Sequence, residues 1–77
     1  MRKPIEILFG EALRDLRTKA GLSQEALAYE SDLDRSFISM LERGLKQPTI
    51  STLFSLSKPL RVKPSDFIKL IEEGNEG

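Results

Sequence analysis

The 77-residue chain contains no cysteine, no histidine and no tryptophan. Without cysteine, disulfides and thiolate metal sites are excluded. Without histidine, the commonest general base and the commonest metal ligand are missing. An excess of either charge is missing too: 12 basic and 12 acidic residues leave a net charge of zero. Bulk electrostatic attraction to nucleic acid is therefore weak. Any such binding must rest on where individual cations sit, because counterion release depends on the cations that meet phosphates. The longest uncharged stretch, residues 47–57, is too short and too polar to span a membrane. The opening Met1-Arg2-Lys3-Pro4 leads into no apolar run of the signal-peptide kind. There is no glycine-rich phosphate loop, and the carboxylates are scattered rather than paired. An enzyme is not expected, nor a metal, a cofactor or a small-molecule ligand. A reducing cytoplasm fits this composition.

What the chain does have is helical periodicity broken by short polar turns. The length bounds it to one domain over residues 1–77, with a core at about 5–72. The pattern predicts an all-α, compact arrangement of five helices. The first covers residues 5–20, with Ile5, Phe9, Leu13, Leu16 and Ala20 on its inner face. Gly21 stops it. Ser23 caps a second helix that closes near Ser31, with Leu27, Ala28 and part of Tyr29 inward. Asp32 is the expected turn residue, since aspartate enters the left-handed region at modest cost. Asp34 caps a third helix over residues 35–43, whose inward side is Phe37 or Ile38 with Leu41, and Gly44 ends it. Thr49 caps a fourth helix, expected to end or kink near Lys58 because Pro59 lacks an amide. A fifth begins at Pro64, carries Phe67, Ile68, Leu70 and Ile71, and frays over residues 72–77.

The spacing between Leu22 and Gly44 is the informative part. Two short helices joined by about three residues must cross steeply, with Ala28 allowing close approach. Such a pair, at residues 24–43, leaves one face of the later helix uncovered. That face bears Arg35, Ser36, Ser39, Met40 and Arg43, with no acid among them. An exposed helix fits the major groove of B-DNA, and Arg35 and Ser36 in its first turn lie where base edges are read. Gln24 can donate to a phosphate at the start of the preceding helix. Arg43 and Lys46 can grip the backbone beyond the other end.

The wording of the chain resembles the repressor and Cro-type, XRE-like helix-turn-helix family. The residues that carry the resemblance are Gly21-Leu22-Ser23-Gln24-Glu25-Ala26-Leu27-Ala28, Asp34-Arg35-Ser36-Phe37-Ile38-Ser39-Met40-Leu41-Glu42-Arg43-Gly44, Gln47-Pro48-Thr49-Ile50 and Leu60-Arg61-Val62-Lys63-Pro64-Ser65. The Leu33 to Ser39 stretch is similar to controller proteins of restriction–modification systems, which are stand-alone dimeric regulators. The resemblance implies five helices, phosphate contacts at Gln24 and Arg43, and base-facing positions at Arg35, Ser36, Ser39 and Met40. It also implies a structural ion pair between Arg17 and Glu42. Asp32 stands where many members have glycine, Met40 where some have a hydrogen-bonding residue, and Arg61 and Lys63 where glycine and a Ser or Asp cap are frequent.

Five short helices cannot bury every residue of the apolar stripe formed by the fourth and fifth. Phe54, Phe67, Ile68 and Ile71 are the candidates for a dimer seam. The expected function is sequence-specific binding of double-stranded DNA as a homodimer on an inverted repeat, with the two reading helices about 34 Å apart. An antitoxin or protein-interaction adaptor using the same helices is the alternative, motivated by the zero net charge.

Overall fold

The computed structural model describes residues 3–75. Five helices follow in order: α1 (Ile5–Lys19), α2 (Gln24–Ser31), α3 (Arg35–Glu42), α4 (Ile50–Leu60) and α5 (Pro64–Asn75). No strand occurs among the described residues. Each short polar side chain expected to start a helix does so. Ser23 Oγ accepts from the Ala26 amide, Asp34 from Ser36, and Thr49 Oγ1 from Thr52. Each bond satisfies one amide that the helix itself leaves free.

The helix ends share one device. Gly21, Asp32, Gly44 and Arg61 all take positive φ, from 58° to 74°. At each, the next residue's amide reaches back to a carbonyl five positions earlier: Leu22 to Arg17, Leu33 to Ala28, Leu45 to Met40 and Val62 to Ser57, at 2.9–3.1 Å. An aliphatic residue after a left-handed one closes the last turn and folds back on the helix. Leu22, Leu33 and Val62 pack against the core. Leu45, after α3, instead stays 62% exposed.

Pro59 does not stop α4, which continues to Leu60. A proline so near the end costs only its own missing bond to Ser55. The turn is closed around it by the Arg61 amide on Lys58 O and the Val62 amide on Ser57 O. α5 likewise stays helical to Asn75 where fraying was expected from residue 72, and residues 76–77 lie outside the described part. α3 is one residue shorter than expected, with Arg43 as its C-cap.

The core is one cluster built from Leu8, Phe9, Leu13, Leu27, Ala28, Ile38, Leu41, Leu53, Leu56, Leu60, Phe67 and Ile71. The Phe9 and Phe67 rings stack with centroids 4.9 Å apart, joining α1 to α5. On α1 Phe9 and Leu13 are buried and Leu16 packs against the core as expected, but the inner face is shorter at both ends and takes in Leu8. Leu8 is buried, whereas Ile5 and Ala20 are exposed, because the first turn and the C-cap project past the packed layer. Tyr29 is also outside rather than partly inside, at 88% exposure. α3 packs against α1 and α2, and α5 against α1 and α4. Gly10 sets the closest approach, since a Cβ there would meet the Leu41 carbonyl oxygen and come within 2.6 Å of the Glu42 carbonyl oxygen.

Candidate nucleic-acid interface

α3 is held from two sides and left open on a third. Ile38 and Leu41 are fully buried, and Phe37 packs against the same cluster. The helix period then turns residues 35, 36, 39, 40 and 43 outward. Arg35, Ser36 and Arg43 are exposed, while Ser39 and Met40 are half-buried between them. Arg35 and Lys46 make no hydrogen bond or ion pair among the described residues. Arg43 Nε reaches the Ser39 carbonyl at 3.4 Å, which lays its side chain along the helix and leaves the rest of its guanidinium uncommitted. Within residues 35–48 the only acid is Glu42, and its side chain is 4% exposed. A chain of zero net charge therefore presents three exposed cations, Arg35, Arg43 and Lys46, on one element and the loop that follows it.

Glu42, its side chain buried, is the centre of a part-buried polar network. Arg17 of α1 donates through Nε to Oε2 at 2.5 Å and through Nη2 to Oε1 at 3.1 Å. Its Nη1 donates to the Leu22 carbonyl at 2.9 Å, in the segment that enters α2. Gln24 Nε2, at the start of α2, donates to Glu42 Oε1 at 3.0 Å. The paired bonds and then the charge of Glu42 hold Arg17 above its ordinary pKa, against the opposing effect of burial. Arg17 was already protonated at any physiological pH, so this contribution is fully present below the unfolded value and lost only in extreme alkali. The network binds α1, the entry to α2 and the last residue of α3 into one rigid corner.

Gln24 lies beside this corner, half-exposed. The loop after α3 is tied back to α1 by Gln47 Nε2, which donates to Glu6 Oε2 at 3.3 Å. The Glu6 backbone amide, and then Gln47, hold the Glu6 carboxyl below its usual value. That contribution is present above the ordinary carboxylate pKa and fades as pH falls through the lowered one.

Of the four expected seam residues, two stay outside. Phe54 is 58% exposed and Ile68 48%. Phe67 is fully buried under Phe9, and Ile71 keeps only 9% of its surface. Phe67 has no face to give a partner, whereas Ile71 reaches the surface only at the floor of a cleft beside Ile68. Two residues not expected at a seam are also exposed: Ile50 at 70% and Ile5, expected on the inner face of α1, at 52%. Ile5, Ile50 and Ile68 line one cleft of about 320 Å³ between α1, α4 and α5, with Phe9, Leu53 and Ile71 at its floor. Ile50 precedes Phe54 by one helical turn. That spacing was visible in the sequence, but the exposure of a first-turn residue was not.

The helix-turn-helix family model (HTH_3) matches residues 13–67, which takes in α2, α3 and α4 and reaches into α5. The chain belongs to the helix-turn-helix family. Its relatives include control protein C.BamHI of Bacillus amyloliquefaciens, 40% identical over 97% of this chain and 94% of the relative. Control protein C.MunI of a Mycoplasma species is 37% identical over 90% of this chain and 95% of the relative. The restriction–modification controller protein C.AhdI of Aeromonas hydrophila superposes with a TM-score of 0.78 at 40% identity, over 80% of this chain and 94% of that one. The controller protein C.Esp1396I, solved as a tetramer in complex with its natural 35-base-pair operator, superposes with a TM-score of 0.86 at 29% identity, over 99% and 100%. The family's XRE-like five-helix arrangement is the one found here, so the resemblance carried by the stretches from Gly21 to Ser65 and the fold expected from it both hold. No described helix is long and apolar enough to cross a membrane.

Proposed function

We propose that this chain is a transcriptional regulator that binds double-stranded DNA as a homodimer on an inverted-repeat operator, with α3 in the major groove. The supporting observation is the open face of α3, with Arg35 in its first turn, Arg43 and Lys46 beyond its last, and a rigid corner behind it, in a chain whose relatives include control proteins. Arg35 and Ser36 contact base edges from the first turn of α3, and Ser39 and Met40 face bases deeper in the groove. A methionine there offers an apolar contact to a thymine methyl. Gln24, Arg43 and Lys46 grip the phosphates on either side. Arg17 and Glu42 hold the corner and touch no DNA.

Dimerisation follows from size. α3 has eight residues and is about 12 Å long, enough for only a few base pairs. The described chain measures 35 × 23 × 22 Å. A second copy supplies the second reading helix one turn of DNA away. The exposed apolar side chains of α4 and α5, Phe54 and Ile68 with Ile50, form the seam. The work of the molecule is binding, not catalysis, and a cytoplasmic location fits it.

Selection of bound sequences from a random DNA pool should return an inverted repeat with half-sites about ten base pairs apart. Arg35→Ala should then lose about 1–3 kcal/mol on the selected site and relax the preference at one base pair per half-site. Equal weakening on selected and random duplexes would remove Arg35 from base reading. Failure to retain any sequence, in a folded dimer, would favour the adaptor reading.

A further inference from the structure

Glu42 is an anion placed at the C-terminal end of α3, next to the surface assigned to DNA, and it is almost completely buried. Each of these circumstances disfavours a carboxylate. The helix end is already negative, the site is desolvated, and the expected ligand is a polyanion. Buried ion pairs are moreover often no better for stability than apolar packing of the same shape. The pair with Arg17 therefore leaves the choice of a carboxylate unexplained. The third donor explains it. We infer that Glu42 is a positioning residue for DNA binding, which fixes the Gln24 side-chain amide so that a nitrogen, and not an oxygen, is offered to the phosphate. This rests on the regulator reading above.

The chemistry is that of an acceptor with no protons to give. An ionised carboxylate only accepts, so the group of Gln24 that faces Glu42 Oε1 at 3.0 Å must be Nε2. A primary amide carries two N–H groups. One is spent on Glu42, and the other remains for an anion. A glutamine free to rotate would present Oε1 to the phosphate part of the time, which is repulsive, and would have to be ordered on binding. Arg17 completes the device from behind. With Nε and Nη2 on the two carboxylate oxygens it cancels the charge of Glu42 and fixes the plane of the carboxylate. Its Nη1 on Leu22 O fixes the backbone two residues before Gln24. The amide, the carboxylate and the guanidinium thus form one row from α2 through α3 to α1.

The test is a double-mutant cycle read in affinity for a random-sequence duplex, because phosphate contacts are independent of sequence. In the wild-type background Gln24→Ala should weaken binding roughly five- to tenfold. In the Glu42→Gln background, where the partner amide can donate as well as accept, the same Gln24→Ala change should cost less than about twofold. Equal losses in both backgrounds overturn the positioning role while leaving Gln24 as a phosphate contact. No loss on Gln24→Ala in the wild type overturns both. No binding of any duplex by the wild type sinks the regulator reading itself. Should Glu42→Gln unfold, NMR of the wild-type Gln24 amide decides the matter. One Nε2 proton should be protected from exchange in the free protein, and the second should become so only when duplex is added. Two equally exposed protons in the free protein, or a second proton indifferent to DNA, overturn the inference.

Discussion

Gly10 lets α1 approach the backbone of the reading helix closely. It lies in the middle of α1, where glycine costs about 1 kcal/mol relative to alanine. By propensity alone Gly10→Ala should stabilise. The added Cβ, however, would meet the Leu41 carbonyl oxygen, with Glu42 O at 2.6 Å and Glu42 C at 2.9 Å. These are backbone atoms and cannot swing aside, so α1 and α3 must separate. Overpacking of this kind costs about 1–3 kcal/mol or more, and it outweighs the propensity gain. Gly10→Ala should lower the unfolding midpoint in thermal or urea denaturation. The same separation would stretch the Arg17 bonds to Glu42. Unchanged or raised stability would show that the two helices are not locked where they cross. Sequence reading placed the small residue of the corner at Ala28, between α2 and α3. It missed Gly10 because a glycine inside a helix carries no periodic signal: its function lies in the backbone of another element. The Arg17–Glu42 pair, by contrast, was legible through the family resemblance alone. Nothing in the charge pattern singles out those two among 24 charged residues.

Helix boundaries were legible because each is governed by local chemistry. Ser23, Asp34 and Thr49 start helices through their own oxygens, and Gly21 and Gly44 end them through backbone freedom. Pro59 misled because the rule against proline applies to helix interiors, and its severity falls when only the last turn is affected. The two other left-handed helix ends provide a comparison. Asp32 and Arg61 adopt nearly identical left-handed conformations, with φ of 59° and 58°. Aspartate tolerates this region through its short polar side chain, whereas arginine has no such relief. Replacing Arg61 by glycine removes about 1–2 kcal/mol of steric cost and returns part of it as flexibility in the unfolded chain. Arg61→Gly should therefore stabilise by about 0.5–1 kcal/mol, raising the melting temperature by a few degrees. Asp32→Gly should gain less or nothing. The two variants should be compared with the parent at one protein concentration, since association shifts the midpoint. A larger gain at Asp32 than at Arg61 would contradict this account of how α2 and α4 end.

At the scale of the molecule, the burial of Phe67 changes which apolar residues can join two copies. Sequence periodicity assigns Phe54, Phe67, Ile68 and Ile71 to one stripe, but it cannot tell a core residue from a seam residue on a helix that serves both. Burial separates Phe67, which belongs to the protomer, from Phe54 and Ile68 on the surface, while Ile71 lines the cleft beside Ile68. The consequence is a pair of variants with opposite signatures. Phe54→Glu removes no member of the buried core, because Phe54 is 58% exposed in the single chain. Burying a residue of this kind is worth about 1.5–3 kcal/mol, and a two-fold interface loses it twice. The dimer should therefore weaken by about 3 kcal/mol or more, which is a hundredfold or greater in its dissociation constant. Circular dichroism should keep its helical signature, sedimentation should show monomer, and binding to an inverted repeat should fall toward that of a single half-site. Phe67→Glu puts a charge under the Phe9 ring and should unfold the chain outright. If Phe54→Glu remained a dimer of undiminished affinity, the seam would lie elsewhere. The reading helices would then have to be brought together by a surface other than α4 and α5.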